Sequence, residues 1–187
     1  MQRFFIIGTA HLDNPDLFQA LESALDDVRP DQLILEIPDD AVRRGDLAQQ
    51  KPEMVCAYRW AERRSTAVRG HEPGGPSILR RDVPPERTGE LLAAMERLIA
   101  ELSVRAAIDL FASRREPVTK KEEQLRAVID ELIDPALAAD RTKGIIDGVR
   151  CVAAPTGKIV IVCGAAHVAK VADALPRVQI VHGAYFF

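Results

Sequence analysis

Short runs of apolar, mostly β-branched residues recur along the chain. Two of them echo each other: Phe4-Phe5-Ile6-Ile7-Gly8-Thr9-Ala10-His11 near the start, and Val160-Ile161-Val162-Cys163-Gly164-Ala165-Ala166-His167 near the end. Runs of this kind predict strands that are buried on both faces of a parallel sheet. Each run ends in a G-x-x-H motif, and helical spacing follows each histidine.

The pattern between these runs alternates between helix and strand. Apolar positions at helical spacing predict a helix over residues 16–28, and residues 32–37 predict a second buried strand. Shorter strands are predicted at 66–68 and 178–181. A strand–helix–strand order implies parallel strands joined by a right-handed crossover. We therefore predict an α/β fold with a mostly parallel central sheet of about four to five strands flanked by helices.

A long helical stretch is predicted between the third strand and the second G-x-x-H strand. Apolar stripes recur at helical spacing over residues 86–153, and Thr119-Lys120-Lys121-Glu122 has the pattern of a capping box. One crossover needs a single helix, so this stretch is predicted to be an insertion within one domain of residues 1–187. The insertion is predicted to act either as a lid over a site or as an arm that forms a homodimer.

Composition and charge restrict the class of protein. Of the 187 residues 28% are charged, the net charge is −3, and the arginines are scattered. Neither nucleic acid nor a membrane is therefore expected as a partner, and no secretory leader or spanning helix is expected. Cys56, Cys151 and Cys163 share no metal or redox spacing, which fits a reducing cytoplasm.

The two G-x-x-H motifs predict a shared site. Parallel strands carry their ligand-facing residues at their carboxyl ends, so His11 and His167 are expected at the same edge of the sheet. Gly8 and Gly164 would allow a bound cofactor or substrate to approach the backbone closely. The alternative is two strand-to-helix turns whose histidines hydrogen-bond nearby backbone groups.

A carboxylate is predicted at the same edge. Glu36 stands at the end of an apolar strand, where it must be paired, hydrogen-bonded or bound to metal. Alternatively, it marks the water-facing end of the strand or pairs with Arg43 or Arg44. The loop after the third predicted strand brings His71-Glu72 towards the same edge, although a loop histidine is commonly solvated.

The chain resembles the TraB/PrgY/GumN family, which is related to the Tiki metalloproteases and more distantly to erythromycin-esterase-like and ChaN-like proteins. The resemblance rests on the two G-x-x-H motifs and on Pro30-Asp31-Gln32-Leu33-Ile34-Leu35-Glu36. The family's arginine in the penultimate helix corresponds best to Arg141. His71-Glu72 stands where an Asp-Arg pair is more typical of the family.

Two imidazoles and one carboxylate support two hydrolytic mechanisms. His11, His167 and Glu36, with His71 as a further candidate, can bind a divalent metal of the zinc or manganese type, as the Tiki relatives imply. Alternatively, one histidine acts as a general base oriented by Glu36 without metal, as the erythromycin-esterase-like relatives imply. In both, Arg141 would stabilise the oxyanion or anchor an anionic group of the substrate.

The predicted function is therefore a hydrolase, metal-dependent in the first mechanism, acting on a peptide, amide or ester. Its partner would be a small molecule or a peptide. The rival hypothesis is a non-catalytic regulatory protein that binds a small ligand or peptide at the same edge. A dinucleotide-dependent enzyme is disfavoured, because Gly8-Thr9-Ala10-His11 lacks the G-x-G-x-x-G pattern.

Overall fold

The described part of the chain builds a parallel β-sheet flanked by helices. A computed structural model describes residues 1–9, 15–71, 77–102, 106, 110 and 116–181. The strands are β1 (Gln2–Thr9), β2 (Gln32–Leu35), β3 (Ala67–Gly70), β4 (Gly157–Gly164) and β5 (Val178–Ile180). The helices described are α1 (Pro15–Val28), α2 (Asp39–Arg44), α3 (Pro52–Arg64), α4 (Pro85–Ala100), α5 (Lys120–Leu132), α6 (Pro135–Val152) and α7 (Ala165–Ala174).

All five strands run parallel, in the order β3-β2-β4-β1-β5. The two strands that carry the G-x-x-H motifs, β1 and β4, are neighbours, and Thr9 pairs with Gly164 at their carboxyl ends. The predicted α/β class with a parallel sheet is confirmed. So is the helical stretch between the third strand and the second G-x-x-H strand, where α4, α5 and α6 lie.

The apolar strands are buried because helices cover both faces of the sheet. Alternate residues of each strand point to opposite faces. On one face Ile7, Leu33 and Val160 pack with residues of α1 and α3. On the other face Ile6 and Ile161 pack with α7 and with the part of α6 that follows Arg141. This double cover explains why the strands have no polar alternation.

The chain divides into two compact units. Among the described residues, the first unit contains the sheet and comprises the residues up to 71 and from 142 onwards. The second unit comprises 77–141 and has its own apolar cluster, to which Ile99, Leu110, Leu125 and Ile129 belong. The predicted capping box is present at the start of α5, where Thr119 and Glu122 bond each other's backbone N–H groups. A single domain of residues 1–187 stays a prediction.

Two element boundaries differ from those predicted. β2 ends at Leu35, and Glu36 continues the ladder only through its N–H, which donates to the carbonyl of Val162 at 3.1 Å. Helix α7 begins at Ala165, so His167 lies in its first turn and not ahead of it. None of the helices in the described ranges combines the length and apolar character needed to cross a bilayer.

Candidate functional site

Polar side chains gather at the carboxyl ends of the strands. Glu36 follows β2, His71 follows β3, and His167 lies in the first turn after β4. All three are buried, with at most 4% of each residue exposed. Because the strands are parallel, these ends form one edge of the sheet. His11, Glu72 and His182 lie outside the described residues, so the predicted meeting of His11 with His167 stays a prediction.

His167 is held by a hydroxyl group. Its Nδ1 lies 2.8 Å from Oγ1 of Thr142, a buried residue of α6. Its Nε2 lies 4.0 Å from Oε1 of Glu36. When Nδ1 carries the proton, it donates to Thr142 and leaves the Nε2 lone pair for a metal ion or for a proton. In that tautomer Nε2 is the reactive atom of the ring.

Glu36 is paired through both carboxylate oxygens. Oε1 accepts a hydrogen bond from Nζ of Lys51 at 3.1 Å, and Oε2 accepts one from the backbone N–H of Gly164 at 2.5 Å. The predicted alternative partners bind elsewhere: Arg43 pairs with Asp39, and Arg44 pairs with Asp40. The Glu36 carboxylate is thus held by the backbone of Gly164, which is the N-cap residue of α7 and the first residue of the G-x-x-H motif that ends at His167.

His71 has a different environment from that of His167. Neither of its ring nitrogens hydrogen-bonds to any group in the described part of the chain. Burial lowers the pKa of His71 to about 4; the Glu36 charge and the nearby backbone groups of His71 and Val162 oppose this effect, and the neighbouring His167 adds to it. The ring is therefore uncharged near neutral pH, and it lies close enough to Glu36 and His167 to respond to their charges.

The structure adds residues to the site that the sequence analysis did not identify. Lys51 is the residue before α3, and Glu53 lies in the first turn of α3, only 3% exposed. Oγ1 of Thr9, at the end of β1, lies 3.3 Å from Oε1 of Glu53 and 3.4 Å from the carbonyl oxygen of Cys163. The sequence signal was weak, because a glutamate in the first helical turn is ordinarily explained by the helix dipole.

The other predicted residues have distinct positions. Arg141 is half-buried in α6, directly before Thr142, and belongs to the second unit, so its predicted role stays a prediction. Gly8 is buried within β1, opposite Cys163 of β4. Burial raises the pKa of the Cys163 thiol well above its ordinary value, which excludes a reactive thiolate there.

The donor atoms present are chemically suited to a divalent cation. A ring nitrogen of His167 faces a buried carboxylate, and a hydroxyl holds the other ring nitrogen, as hydrogen-bond partners hold the second nitrogen of metal-bound histidines. Lys51 lies on the same Glu36 oxygen and would compete with a cation for it. No group of three or more His, Cys, Asp or Glu side chains in the described ranges could hold a metal ion. The predicted ligand set includes His11, which lies outside those ranges.

Comparisons of the chain with protein-family models, with curated proteins and with solved structures found no match.

Proposed function

We propose that the protein is a hydrolase of the TraB/Tiki-like type that cleaves a peptide, amide or ester bond at the carboxyl edge of its sheet, with a zinc- or manganese-type ion as cofactor. One observation carries the proposal: the Nε2 atom of His167 faces the buried Glu36 carboxylate at 4.0 Å, while Thr142 holds the opposite ring nitrogen. The family assignment rests on the motifs of the chain alone.

In this proposal His11, His167 and Glu36 hold the ion. A divalent ion bound there would supply Lewis-acid chemistry, lowering the pKa of a water molecule and polarising the carbonyl of the substrate. The chain's own residues prepare the site. The Thr142 hydroxyl fixes the orientation of the His167 ring, and the Gly164 N–H fixes the orientation of Glu36. Arg141 would bind a developing or permanent negative charge of the substrate by a bidentate contact.

A metal-free hydrolase is the second candidate, and Lys51 favours it. Its ammonium group already neutralises Glu36 at the edge of the sheet, with 28% of its side chain exposed. In that mechanism His167 Nε2 accepts a proton from the attacking water, and Glu36 orients the resulting imidazolium. Lys51 would then lie beside the carbonyl oxygen as negative charge develops on it.

Metal content and hydrolysis together test the proposal. The full chain is loaded with zinc or manganese, dialysed, and analysed by elemental analysis; hydrolysis is followed with p-nitrophenyl acetate and a fluorogenic peptide mixture. We expect one ion per chain in the parent, and His167→Ala should lose both the ion and the hydrolysis. Lys170→Ala, an exposed change in the same helix, is the matched control and should behave as the parent.

The outcomes separate the two candidates. Hydrolysis without bound metal that His167→Ala abolishes would support the metal-free mechanism. A parent chain that neither binds metal nor hydrolyses any probe would refute both mechanisms.

A cytoplasmic location belongs to the same proposal. Cys56, Cys151 and Cys163 are all free thiols, and Cys151 is exposed. Exposed free thiols persist where the surroundings are reducing. A small molecule or a peptide is the proposed substrate, since the site lies at the end of the sheet where α/β proteins bind such ligands.

A further inference from the structure

The buried ring of His71 carries two polar atoms that no described group satisfies. The residue is 3% exposed, and neither Nδ1 nor Nε2 has a hydrogen-bond partner within the described ranges. Leaving a buried polar group without a hydrogen bond lowers the stability of the fold. Native proteins pair such groups almost everywhere, and a catalytic role is one of the recognised reasons for an exception. The loss of stability from an unpaired His71 ring therefore points to a functional role for this residue.

The backbone that presents this ring is held on two sides. The N–H of His71 donates to the carbonyl of Leu35 at 3.0 Å, which extends the β2–β3 ladder by one residue. On the other side α6 crosses so closely that a Cβ atom on Gly148 would lie 2.6 Å from the carbonyl oxygen of His71. Only glycine fits that position without displacing the backbone. The fold thus fixes the backbone of His71, while its buried ring nitrogens have no hydrogen bond to a described group.

The position of the ring is that of a site residue. His71 is the first residue after β3, at the edge where Glu36 and His167 follow their own strands. Both of those side chains act electrostatically on the imidazole. Each of them is already engaged, Glu36 by Lys51 and Gly164, and His167 by Thr142. A ligand entering this edge would therefore find an available imidazole N–H on His71.

We propose that His71 contacts the substrate, with its ring N–H donating a hydrogen bond to the carbonyl oxygen of the bond that is hydrolysed. This inference rests on the proposed hydrolase function. The carbonyl oxygen gains negative charge when water attacks, and a fixed donor at that point is stabilising in a site from which bulk water is excluded. An imidazole suits this role because one of its ring nitrogens carries an N–H in either tautomer. His71 would thus be a catalytic residue without being a metal ligand.

Two substitutions at this position separate a catalytic contact from a structural one. His71→Phe keeps a ring of similar size and removes both polar atoms. His71→Gln keeps an N–H donor at a similar reach. The substitutions are made in the full, metal-loaded chain, and hydrolysis of p-nitrophenyl acetate is measured together with thermal unfolding and metal content.

We expect His71→Phe to lower kcat by about 100- to 1,000-fold, the loss typical for removal of one oxyanion donor, with KM changed little. Its melting temperature should equal or exceed that of the parent, because an unpaired buried polar group has been removed. His71→Gln should recover part of the lost kcat. The bound metal should stay at the parent's level in both variants.

Several results would overturn the inference while leaving the hydrolase intact. These are a His71→Phe protein as active as the parent, a loss of kcat that His71→Gln fails to relieve, or a loss of metal that accompanies the loss of rate. If His71→Phe fails to fold, His71→Gln decides the question. A folded His71→Gln protein with a lower kcat and an unchanged KM supports the inference. Any other result for His71→Gln assigns the ring a structural role and refutes the inference. A parent that hydrolyses nothing refutes the hydrolase and this inference together.

Discussion

The hydroxyl oxygen of Thr142 lies 2.8 Å from Nδ1 of His167, and both residues are buried. This contact links α6 to the first turn of α7 and turns the second ring nitrogen, Nε2, towards Glu36. An imidazole without such a contact could rotate or change its tautomer. The pair therefore fixes the orientation of the His167 ring, with Nε2 on the side of Glu36.

Thr142→Val tests this orienting role. Valine has nearly the shape of threonine and lacks the hydroxyl, so the fold should persist while His167 loses the hydrogen bond that orients its ring. We expect zinc affinity or hydrolysis to fall by about 10- to 100-fold, the usual effect of removing a second-shell partner. Isothermal titration with zinc measures the affinity directly. Thr142→Ser keeps a hydroxyl and should retain most of it.

Thr88→Val is the matched control for that prediction. The hydroxyl of Thr88, a residue of α4, donates to the carbonyl of Pro84, the N-cap residue of that helix, at 3.1 Å. Its replacement should leave zinc affinity unchanged. Equal affinities in Thr142→Val and the parent would show that the hydroxyl contact does not orient a metal-binding ring.

Lys51→Met should affect stability and metal binding in opposite directions. The substitution leaves the buried Glu36 carboxylate without its ammonium partner, and we expect the free energy of unfolding of the metal-free protein to fall by about 1–3 kcal/mol. Because Lys51 competes with a cation for Oε1, zinc affinity should rise. Urea denaturation and zinc titration give the two values.

The control for this pair is Lys143→Met. Lys143 is 77% exposed and pairs with Asp147 on the surface of α6. A surface pair of this kind contributes about 0–1 kcal/mol, so little should change. A Lys51→Met protein with weaker zinc binding and no hydrolysis would instead favour the metal-free mechanism, in which Lys51 acts on the substrate.

Gly148→Ala and Gly89→Ala should have opposite effects, although both glycines lie within helices. A Cβ atom at Gly148 would press on the carbonyl oxygen of His71 at 2.6 Å, whereas one at Gly89 meets nothing within 4 Å. We expect Gly148→Ala to destabilise the fold by about 1–3 kcal/mol through overpacking. Gly89→Ala should stabilise it by about 0.4–1 kcal/mol. Chemical denaturation of both variants checks the signs, and stabilisation by Gly148→Ala would contradict this close approach.

Asp39 gives a pH-dependent prediction. It accepts two hydrogen bonds from Arg69, at 2.9 and 3.0 Å, and one from the N–H of Gly70 at 2.9 Å. The hydrogen bonds from Arg69, and secondly that from Gly70, hold the pKa of Asp39 below its ordinary value of 3.8, although burial opposes them. The carboxylate therefore stabilises the fold fully above that ordinary value, and the contribution is lost as the pH falls through the lower, folded-state pKa.

Asp39→Asn should thus be less stable than the parent at neutral pH, by about 1 kcal/mol for such a partly exposed contact, and the difference should shrink on acidification. Urea denaturation at neutral pH and at successively lower pH values measures it. Asp40→Asn removes the exposed pair with Arg44 and should have a smaller effect throughout. A difference for Asp39→Asn that grows on acidification would contradict the assigned pKa shift.

The strands could be predicted because their apolar runs are uninterrupted. Strands of a sheet that is covered on both faces are apolar along their whole length, and the sequences of β1 and β4 show such uninterrupted apolar runs. The glycines of these strands and Glu36 could be identified as candidate site residues because they interrupt or end an apolar run. The exact helix boundaries were not predictable, so His167 was expected ahead of α7 and lies in its first turn.

The supporting residues could not be predicted from the sequence. Thr142, Lys51 and Glu53 lie in or beside amphipathic helices, where polar residues are expected at the surface. Only the tertiary packing shows that Thr142 and Glu53 are buried and that Lys51 reaches Glu36. His71 was named from its place after a strand, but the burial of its ring and the close approach of α6 to its backbone at Gly148 are tertiary features that no local pattern encodes.

The central pair of strands has a consequence for synthesis. β1 and β4 are neighbours in the sheet, and Gln2 pairs with Gly157 in the first step of their register. A ribosome releases the first strand long before its partner exists, so β1 must wait while the intervening helices emerge. Pairing between such distant segments is slow and leaves apolar edges open to aggregation. Nascent chains of this protein should therefore depend on chaperones until Gly164 has left the exit tunnel and the Glu36 carboxylate gains its backbone partner.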